Sequence, residues 1–203
     1  MVEIEITQSK DLNFDREPYI KRGNLKDLLL ISRPYFLDQR GSFQESYRIS
    51  DIKSITGIEF KGVQSSISVM LPNTIKGIHC ERQHKILTPL SGVFIFVEVD
   101  LRKDSETFKQ WTAIMIDANE GRKHSLFVPK GVGNSMCILD SGKESDIAVL
   151  NYTVSSNYDS KEVERVVRYD DPELAIPWPI KEPIVSKRDL NGYNLEEYIK
   201  TYL

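Results

Sequence analysis

Three histidines, His79, His84 and His124, are the side chains best suited to move protons near neutral pH. His79 lies in the segment IKGIHCER, which is typical of a strand, and Gly77 just before it leaves backbone that a ligand can approach. A histidine on a strand that faces a cavity can accept a proton from a substrate. We therefore treat His79 as a candidate base, although a hydrogen-bonded core histidine is the commoner case. We expect His124, in GRKHSLF, to lie in a solvated loop.

A metal site is the competing interpretation of the same segment. His79, Glu81 and His84 form the pattern H-x-E-x-x-H, which is close to the first metal motif of cupin barrels. Strand alternation would put His79 and Glu81 on one face and His84 on the other. The position of a further histidine ligand, after the PKG turn at 129–131, holds Asn134. We therefore predict neither a metal nor another cofactor.

Other catalytic signatures are missing from the sequence. It contains no G-x-S-x-G nucleophile motif and neither of the glycine-rich phosphate-binding patterns G-x-G-x-x-G and G-x-x-x-x-G-K. The two cysteines, Cys80 and Cys137, are too few for a disulfide framework, and we expect both to be small core residues.

Composition indicates a globular protein. The chain has 203 residues, of which 40% are hydrophobic and 28% charged, with a net charge of -3. We predict one domain over residues 1–203, with an N-terminal extension at 1–27. The charge disfavours a nucleic-acid partner, and no apolar run is long enough to span a membrane. The start, MVEIEITQSKDLNF, does not resemble an export signal, so we expect a cytoplasmic protein.

The elements that must position these residues are short strands. Segments rich in Val, Ile, Phe and Thr alternate with turn residues, which predicts an all-β sandwich or barrel. The predicted strands are residues 28–32, 43–49, 62–69, 75–80, 85–90, 93–102, 107–116, 125–128, 135–139 and 146–154. Short helices are predicted at 51–55 and 195–203.

The segment 93–102 is the clearest strand. One face is aliphatic, and the other carries Phe94, Phe96, Glu98, Asp100 and Arg102. We expect the aliphatic face to pack between two sheets and the mixed face to line a cavity or an interface. Residues 172–203 are predicted to form a proline-rich strap followed by a short helix.

A series of short motifs runs in order from about residue 28 to residue 189. They are DQRGSFQE at 38–45, QSSIS at 64–68, IKGIH at 75–79, KIL at 85–87, VDLR at 99–102, SETF at 105–108, VPKG at 128–131, DDP at 170–172, the I-x-W-P pattern at 176–179 and SKRD at 186–189. Together they resemble the dTDP-4-dehydrorhamnose 3,5-epimerases. This resemblance implies a cupin jelly roll with short peripheral helices and a homodimer that binds a nucleotide-diphosphate sugar.

The resemblance also assigns catalytic roles. The family removes a proton next to the 4-keto group of a nucleotide-linked 6-deoxyhexose and returns one to the opposite face. His79 falls on the family's base, Asp189 on the carboxylate that orients the base, and Lys85 on the lysine near the enolate oxygen. A cation is most effective where negative charge develops.

Substrate binding falls on further positions. Lys76 replaces an arginine that helps to hold phosphate, and it keeps the charge but not the bidentate fork. Arg40, Phe43, Glu45 and Gln64 fall on positions associated with nucleotide binding. Phe43 is equally consistent with a core residue, and Arg40 and Glu45 with a surface pair.

Departures from the family pattern weaken this assignment. The catalytic tyrosine of the family's Y-K-x-T motif falls on Asn151, and Tyr152 would face the cavity only if a bulge shifted the strand. Asn134 replaces a histidine and Phe96 an aspartate. We therefore expect a more apolar, less acidic pocket.

The leading hypothesis is an epimerase of nucleotide-linked 4-keto-6-deoxy sugars that acts at carbon 3 or carbon 5 only. The alternatives are a 3,4-ketoisomerase on the same substrates and a non-catalytic sugar-nucleotide-binding cupin. We further expect that residues 2–6 add a strand to a partner subunit.

Overall fold

Two six-stranded sheets dominate the residues that the computed structural model describes, which are 6–8, 20–140, 147–162 and 164–203. The first sheet has the order β1 (Ile6–Gln8), β10 (Trp111–Asp117), β9 (Val93–Asp100), β12 (Val132–Leu139), β7 (Ile75–His79) and β14 (Val166–Val167). The second has the order β2 (Ile20–Arg22), β3 (Leu29–Ile31), β11 (Ser125–Val128), β8 (Lys85–Ser91), β13 (Ala148–Val154) and β6 (Gln64–Met70). Neighbouring strands are antiparallel except β1 and β10.

The inner faces of the two sheets form the main core. Phe94 and Phe96 of β9 stack with ring centroids 5.4 Å apart and pack in one cluster with Leu87 and Leu150 of the second sheet. Such burial of alternating residues between two sheets is what holds a β-sandwich together. The predicted all-β jelly roll is therefore confirmed.

The expected orientation of the strand 93–102 is wrong in one respect. Its aliphatic residues Ile95, Val97 and Val99 lie on the outer face of the first sheet, where Leu195 and Tyr198 cover them. The phenylalanine face is the one that lies between the sheets. Both faces of this strand are buried, so alternation alone could not tell which face meets the second sheet.

The C-terminal segment supplies that outer cover. It crosses the sheet without strands, as the prolines predict, and then forms α2 (Lys187–Leu190) and α3 (Leu195–Tyr202). A capping box between Asn194 and Glu197 starts α3 at the predicted place. The four-residue α2 was not predicted.

The N-terminal third differs more from the prediction. The expected strand 43–49 is replaced by a hairpin of β4 (Tyr35–Asp38) and β5 (Gly41–Gln44), and α1 (Ile49–Thr56) begins two residues before the predicted helix. Residues 2–5 lie outside the described part of the chain. Ile6 pairs with Ala113 of its own chain, not with a partner.

Candidate active site

A β-bulge in β7 shapes the candidate site. Asn134 of β12 pairs with His79, but Met136 pairs with Lys76, so three residues of β7 advance against two of β12. Regular alternation would point Lys76 and His79 to opposite faces. The extra residue turns both towards one cavity, as bulges beside active sites commonly do.

His79 contacts Asp189 from the C-terminal segment. Its Nε2 lies 3.1 Å from Asp189 Oδ1, and the backbone N–H of Gly77 donates to Asp189 Oδ2 at 3.0 Å. A Cβ at residue 77 would meet the Cβ of Asp189 at 3.0 Å, so glycine permits this close approach. Helix α2 presents the carboxylate, because Ser186 caps it by accepting a hydrogen bond from the Asp189 N–H. The expected contact between His79 and Asp189 is therefore present.

Electrostatics keep Asp189 ionised. Burial alone would raise the pKa of this carboxyl, but the hydrogen bond and charge of His79, with the Gly77 N–H and Arg188, lower it well below its usual range. Arg188 was not identified from the sequence. Its Nε donates to Asp189 Oδ1 at 3.0 Å, and its Nη2 lies 2.9 Å from His79 Nε2. The site thus carries a cation beside the histidine.

Lys85 is buried at the same cavity. Its Nζ donates to Glu81 Oε2 at 2.6 Å and to the carbonyl of His79 at 3.2 Å. Burial raises the pKa of Glu81, but the charges of Lys85 and His79 outweigh it and lower the pKa to about 2. An ammonium group has three protons, so one remains for a ligand.

The cavity has a volume of about 220 Å³ and lies between the sheets. Strands of both sheets and helix α2 line it. The lining residues are Lys76, His79, Glu81, Gln83, Lys85, Leu87, Asn134, Met136, Leu150, Tyr152, Val154, Tyr158 and Arg188.

Tyr152, not Asn151, faces this cavity. Leu150, Tyr152 and Val154 alternate onto the inner face of β13, whereas Asn151 points outward and donates to Ser65 Oγ at 3.1 Å. Our placement of Asn151 in the site is therefore wrong. Matching the Y-K-x-T pattern to residues 152–155, with Ser155 in place of threonine, assigns the tyrosine to Tyr152. The hydroxyl residue that matches the threonine of the pattern is Ser155. Matching Thr153 to that threonine instead assigns the tyrosine position to Asn151.

Asn134 lies beside the buried carboxyl of Glu98, for which the sequence predicts only a place on the mixed face of the strand 93–102. Its Nδ2 donates to Glu98 Oε1 at 2.6 Å, and Glu98 is fully buried. Burial raises the pKa of Glu98 well above its usual range, against the opposing effects of Asn134 and Lys85. Glu81 is thus an ionised acid of the cavity lining, whereas Glu98 lies behind Asn134 and favours its neutral form.

Only some of the predicted substrate-binding residues lie at the cavity or beside it. Lys76 lines the cavity and donates to Ser68 Oγ at 2.8 Å. Gln64 lies at an adjoining pocket that shares Tyr152 with the cavity. Arg40, Phe43 and Glu45 do not line either.

These three residues belong to the β4–β5 hairpin and the turn after it. Arg40 pairs with Asp38, Glu45 pairs with Arg33, and Phe43 is 67% exposed. The interpretation of Phe43 as a core residue is wrong, and the surface pair of Arg40 with Glu45 is not formed.

A larger groove of about 610 Å³ lies elsewhere, along residues 23–27 and 102–107. Arg102 lines this groove. Its Nε and Nη2 donate to the two carboxylate oxygens of Asp100, and Nη2 also donates to the carbonyl of Lys26. Asp100 further accepts from Ser105 and Thr107. Arg102 and Asp100 are thus engaged with each other and with neighbouring protein groups, which leaves them less available to a ligand in this groove.

The other histidines lie away from the site. His84 stacks on Phe127, with ring centroids 5.8 Å apart, and its Nδ1 accepts from the Lys130 N–H. The H-x-E-x-x-H residues thus do not converge, and the described residues include no group of three His, Cys, Asp or Glu side chains able to hold a metal. His124 is buried, not solvated as expected, and burial lowers its pKa to about 4.

Cys80 and Cys137 are both buried free thiols, as predicted. Within the described ranges, no helix has the length and apolar character that crossing a bilayer requires.

A histidine backed by a buried carboxylate, together with a lysine and a tyrosine, is suited to removing and returning a proton. Such a site between the sheets of a jelly roll is the candidate active site of a cupin-type protein.

Comparisons with known proteins specify the family. The model of the dTDP-4-dehydrorhamnose 3,5-epimerase family matches residues 22–197, so the chain belongs to this family. The dTDP-4-dehydrorhamnose 3,5-epimerase of Shigella flexneri is 30% identical over 175 residues, which cover 84% of this chain and 92% of the relative. The dTDP-4-dehydrorhamnose 3-epimerase of Streptomyces niveus is 32% identical over 164 residues, 79% of this chain and 75% of the relative.

A solved structure of the 3,5-epimerase from Bacillus anthracis, with TDP and PPi bound, matches with a TM-score of 0.77. It is 33% identical in sequence, and the match covers 87% of this chain and 98% of that one. The fold is thus the cupin fold of these epimerases.

Glu98 and Glu81 are expected to change stability with opposite signs. Because the pKa of Glu98 is raised on folding, ionisation of Glu98 opposes folding as the pH rises above about 4.5. Glu98→Gln, which mimics the neutral acid, should match the wild-type Tm near pH 4 and exceed it near pH 8.

Because the pKa of Glu81 is lowered to about 2, its ion pair stabilises the fold above about pH 4.5. Glu81→Gln should therefore lower the Tm near pH 8.

Scanning calorimetry of both variants from about pH 3 to pH 8 measures this difference. The loss in Glu81→Gln should shrink as the pH falls towards 2. Tm shifts of the same sign in both variants at pH 8 would contradict the assigned charges.

Proposed function

We propose that the protein epimerises a dTDP-linked 4-keto-6-deoxy sugar at a carbon next to the ketone. The observation that carries this proposal is the contact between His79 and Asp189 in a cavity that Tyr152 also lines. The names of the relatives support the reaction and the nucleotide, because they are dTDP-sugar 3,5- and 3-epimerases.

His79 acts as the base. Ionised Asp189 accepts the proton of His79 Nε2, whereas Arg188 Nη2 can only donate to that nitrogen. Once Arg188 turns from Nε2 to the substrate phosphate, Nε2 carries the proton and Nδ1 is the nitrogen that accepts one. After proton transfer, Asp189 stabilises the imidazolium that forms. Lys85, next to the cavity, stabilises the negative charge on the enolate oxygen with its remaining proton.

Tyr152 returns the proton. His79 comes from the first sheet and Tyr152 from the second, so the two side chains approach a sugar in the cavity from opposite walls. Inversion of a carbon requires removal of a proton on one face and its delivery on the other. With Tyr152 in this position, the non-catalytic alternative loses its main support.

Lys76 and Arg188 hold the diphosphate. Both line the cavity, and Arg188 has a guanidinium group that is partly exposed at its edge. Arginine matches phosphate oxygens with two parallel donors, whereas lysine acts as a point charge. Arg188 thus supplies the bidentate fork that Lys76 lacks.

We also propose a homodimer in which the hairpin residues Arg40, Phe43 and Glu45 reach the cavity of a second copy. Apolar side chains are exposed on the hairpin and on the outer face of the edge strand β6. They are Phe36, Leu37, Phe43, Ile67 and Val69. Exposed apolar side chains on a hairpin and on an edge strand are groups that a second copy can cover. Light scattering should give twice the mass of 23.4 kDa, and Ile67→Lys should shift the protein towards the monomer. A wild-type monomer at micromolar concentration would contradict the dimer.

Solvent deuterium exchange tests the base. Wild-type protein in D₂O should incorporate deuterium at carbon 3 or carbon 5, or both, of a dTDP-4-keto-6-deoxy sugar. His79→Ala should slow incorporation by roughly 10²–10⁴-fold, the usual contribution of a general base. NMR identifies the labelled carbon and the product, which also separates epimerisation from 3,4-ketoisomerisation. Full exchange in His79→Ala would refute the mechanism.

Two neighbouring residues test the proton donor. Tyr152→Phe removes the phenol from the cavity and should reduce product formation by roughly 10²-fold or more, while exchange catalysed by His79 continues. Asn151→Ala, one residue earlier on the outer face, is the matched control and should leave both rates within about twofold. A larger loss in Asn151→Ala than in Tyr152→Phe would restore the first assignment.

A further inference from the structure

A row of polar side chains crosses the first sheet beneath the cavity. Cross-strand pairing places His79 of β7 beside Asn134 of β12, Asn134 beside Glu98 of β9, and Glu98 beside Thr112 of β10. Asn134 and Glu98 share the inner face with the next pair along the two strands, the core residues Met136 and Phe96. The row therefore runs from the candidate base into the core.

Glu98 is unusual in this row because nothing in the proposed reaction uses it. It is fully buried, its Oε1 accepts from Asn134, and its Oε2 has no hydrogen-bond partner among the described residues. A buried carboxyl is costly, and a hydrophobic residue of similar size would fit a core position more easily. Its hydrogen bond to Asn134, which lines the cavity, points to a role in the site.

We propose that Glu98 is a positioning residue that fixes the side-chain amide of Asn134, so that Asn134 Oδ1 accepts a hydrogen bond from a sugar hydroxyl beside the reacting carbon. This inference rests on the proposed function, since it names the part of the substrate that Asn134 contacts.

The hydrogen bonds of Asn134 support this orientation. Its Nδ2 donates to Glu98 Oε1 at 2.6 Å and, more weakly, to the carbonyl of Ser135 at 3.4 Å. A side-chain amide has two donor protons and one acceptor oxygen. With both protons directed at the protein, the oxygen is the group left for a ligand.

The position of Asn134 defines what that oxygen meets. Asn134 lines the cavity and pairs directly with His79, so both side chains contact the same region of a bound sugar. An acceptor oxygen favours a hydroxyl and disfavours the ketone, which has no proton to donate. Asn134 therefore distinguishes the hydroxyl-bearing carbon from the 4-keto carbon and fixes how the ring lies against the base.

The burial of Glu98 agrees with this role. Burial raises the pKa of its carboxyl, and Lys85 is the cation that opposes this effect. Asn134 does not titrate, so it does not relay a proton from Glu98 to the cavity, and Glu98 acts on the site through the orientation of Asn134.

Calorimetric titration with dTDP and with dTDP-glucose tests the proposal. Both ligands carry the nucleotide, and only dTDP-glucose carries the hydroxyls of a hexose. Glu98→Leu removes the acceptor at similar volume. It should weaken the binding of dTDP-glucose by roughly five- to tenfold, the effect of one hydrogen bond, and leave the affinity for dTDP unchanged. Glu98→Gln keeps an acceptor oxygen and should restore binding. Thr112→Val, in the same row but outside the cavity lining, is the matched control and should bind both ligands as the wild type does.

A double-mutant cycle shows whether Glu98 acts through Asn134. Asn134→Ala alone should weaken dTDP-glucose as Glu98→Leu does, and the double variant should be no weaker than Asn134→Ala. Should Glu98→Leu fail to fold, Asn134→Asp provides the comparison, because it keeps the acceptor oxygen and should bind dTDP-glucose better than Asn134→Ala.

Two outcomes would overturn the inference alone: an unchanged ratio of the two affinities in Glu98→Leu, or a further loss in the double variant. If Glu98→Leu does not fold, the inference is overturned when Asn134→Asp binds dTDP-glucose no better than Asn134→Ala does. A wild-type protein that binds neither ligand would instead overturn the proposed function, and this inference with it.

Discussion

The close approach of Asp189 to β7 is the contact on which the site depends. It joins a residue of the C-terminal segment to the backbone of Gly77 and the ring of His79, and it is possible because residue 77 has no side chain. The bulge at the same place turns Lys76 and His79 to one side. Gly77 therefore gives room for the carboxylate, and the bulge brings His79 and Lys76 to the same cavity.

The charges of the site are arranged around Lys85. Glu81 contacts its ammonium group directly, and Glu98 lies deeper in the sheet. Of these two carboxyls, only that of Glu81 is held ionised. Its direct ion pair with Lys85 offsets the effect of burial on the pKa, whereas the more distant charge of Lys85 does not do so for Glu98. One compensated cation at the cavity thus lies near one deeper carboxyl that favours its neutral form.

Much of this arrangement could be predicted from the sequence. Alternation located most strands of the sandwich, and the motifs IKGIH and SKRD placed His79 and Asp189 in one site, although 110 residues separate them. Patterns failed where tertiary packing decides. Both faces of the strand 93–102 are buried, so alternation could not identify its inner face, and the threonine at 153 hid the better match that placed Tyr152 in the cavity. Glu98 gave no signal, because its role comes from a neighbour on another strand.

The distance along the chain between His79 and Asp189 bears on the order in which the protein folds. Contacts between residues far apart in sequence are slow to form, since a long loop must close before they are gained. The sandwich can collapse around Phe94 and Phe96 before the last strap docks on its outer face, but the carboxylate reaches the histidine only once that strap is in place. The contact between His79 and Asp189 is therefore expected to form late in folding, after the inner core between the sheets.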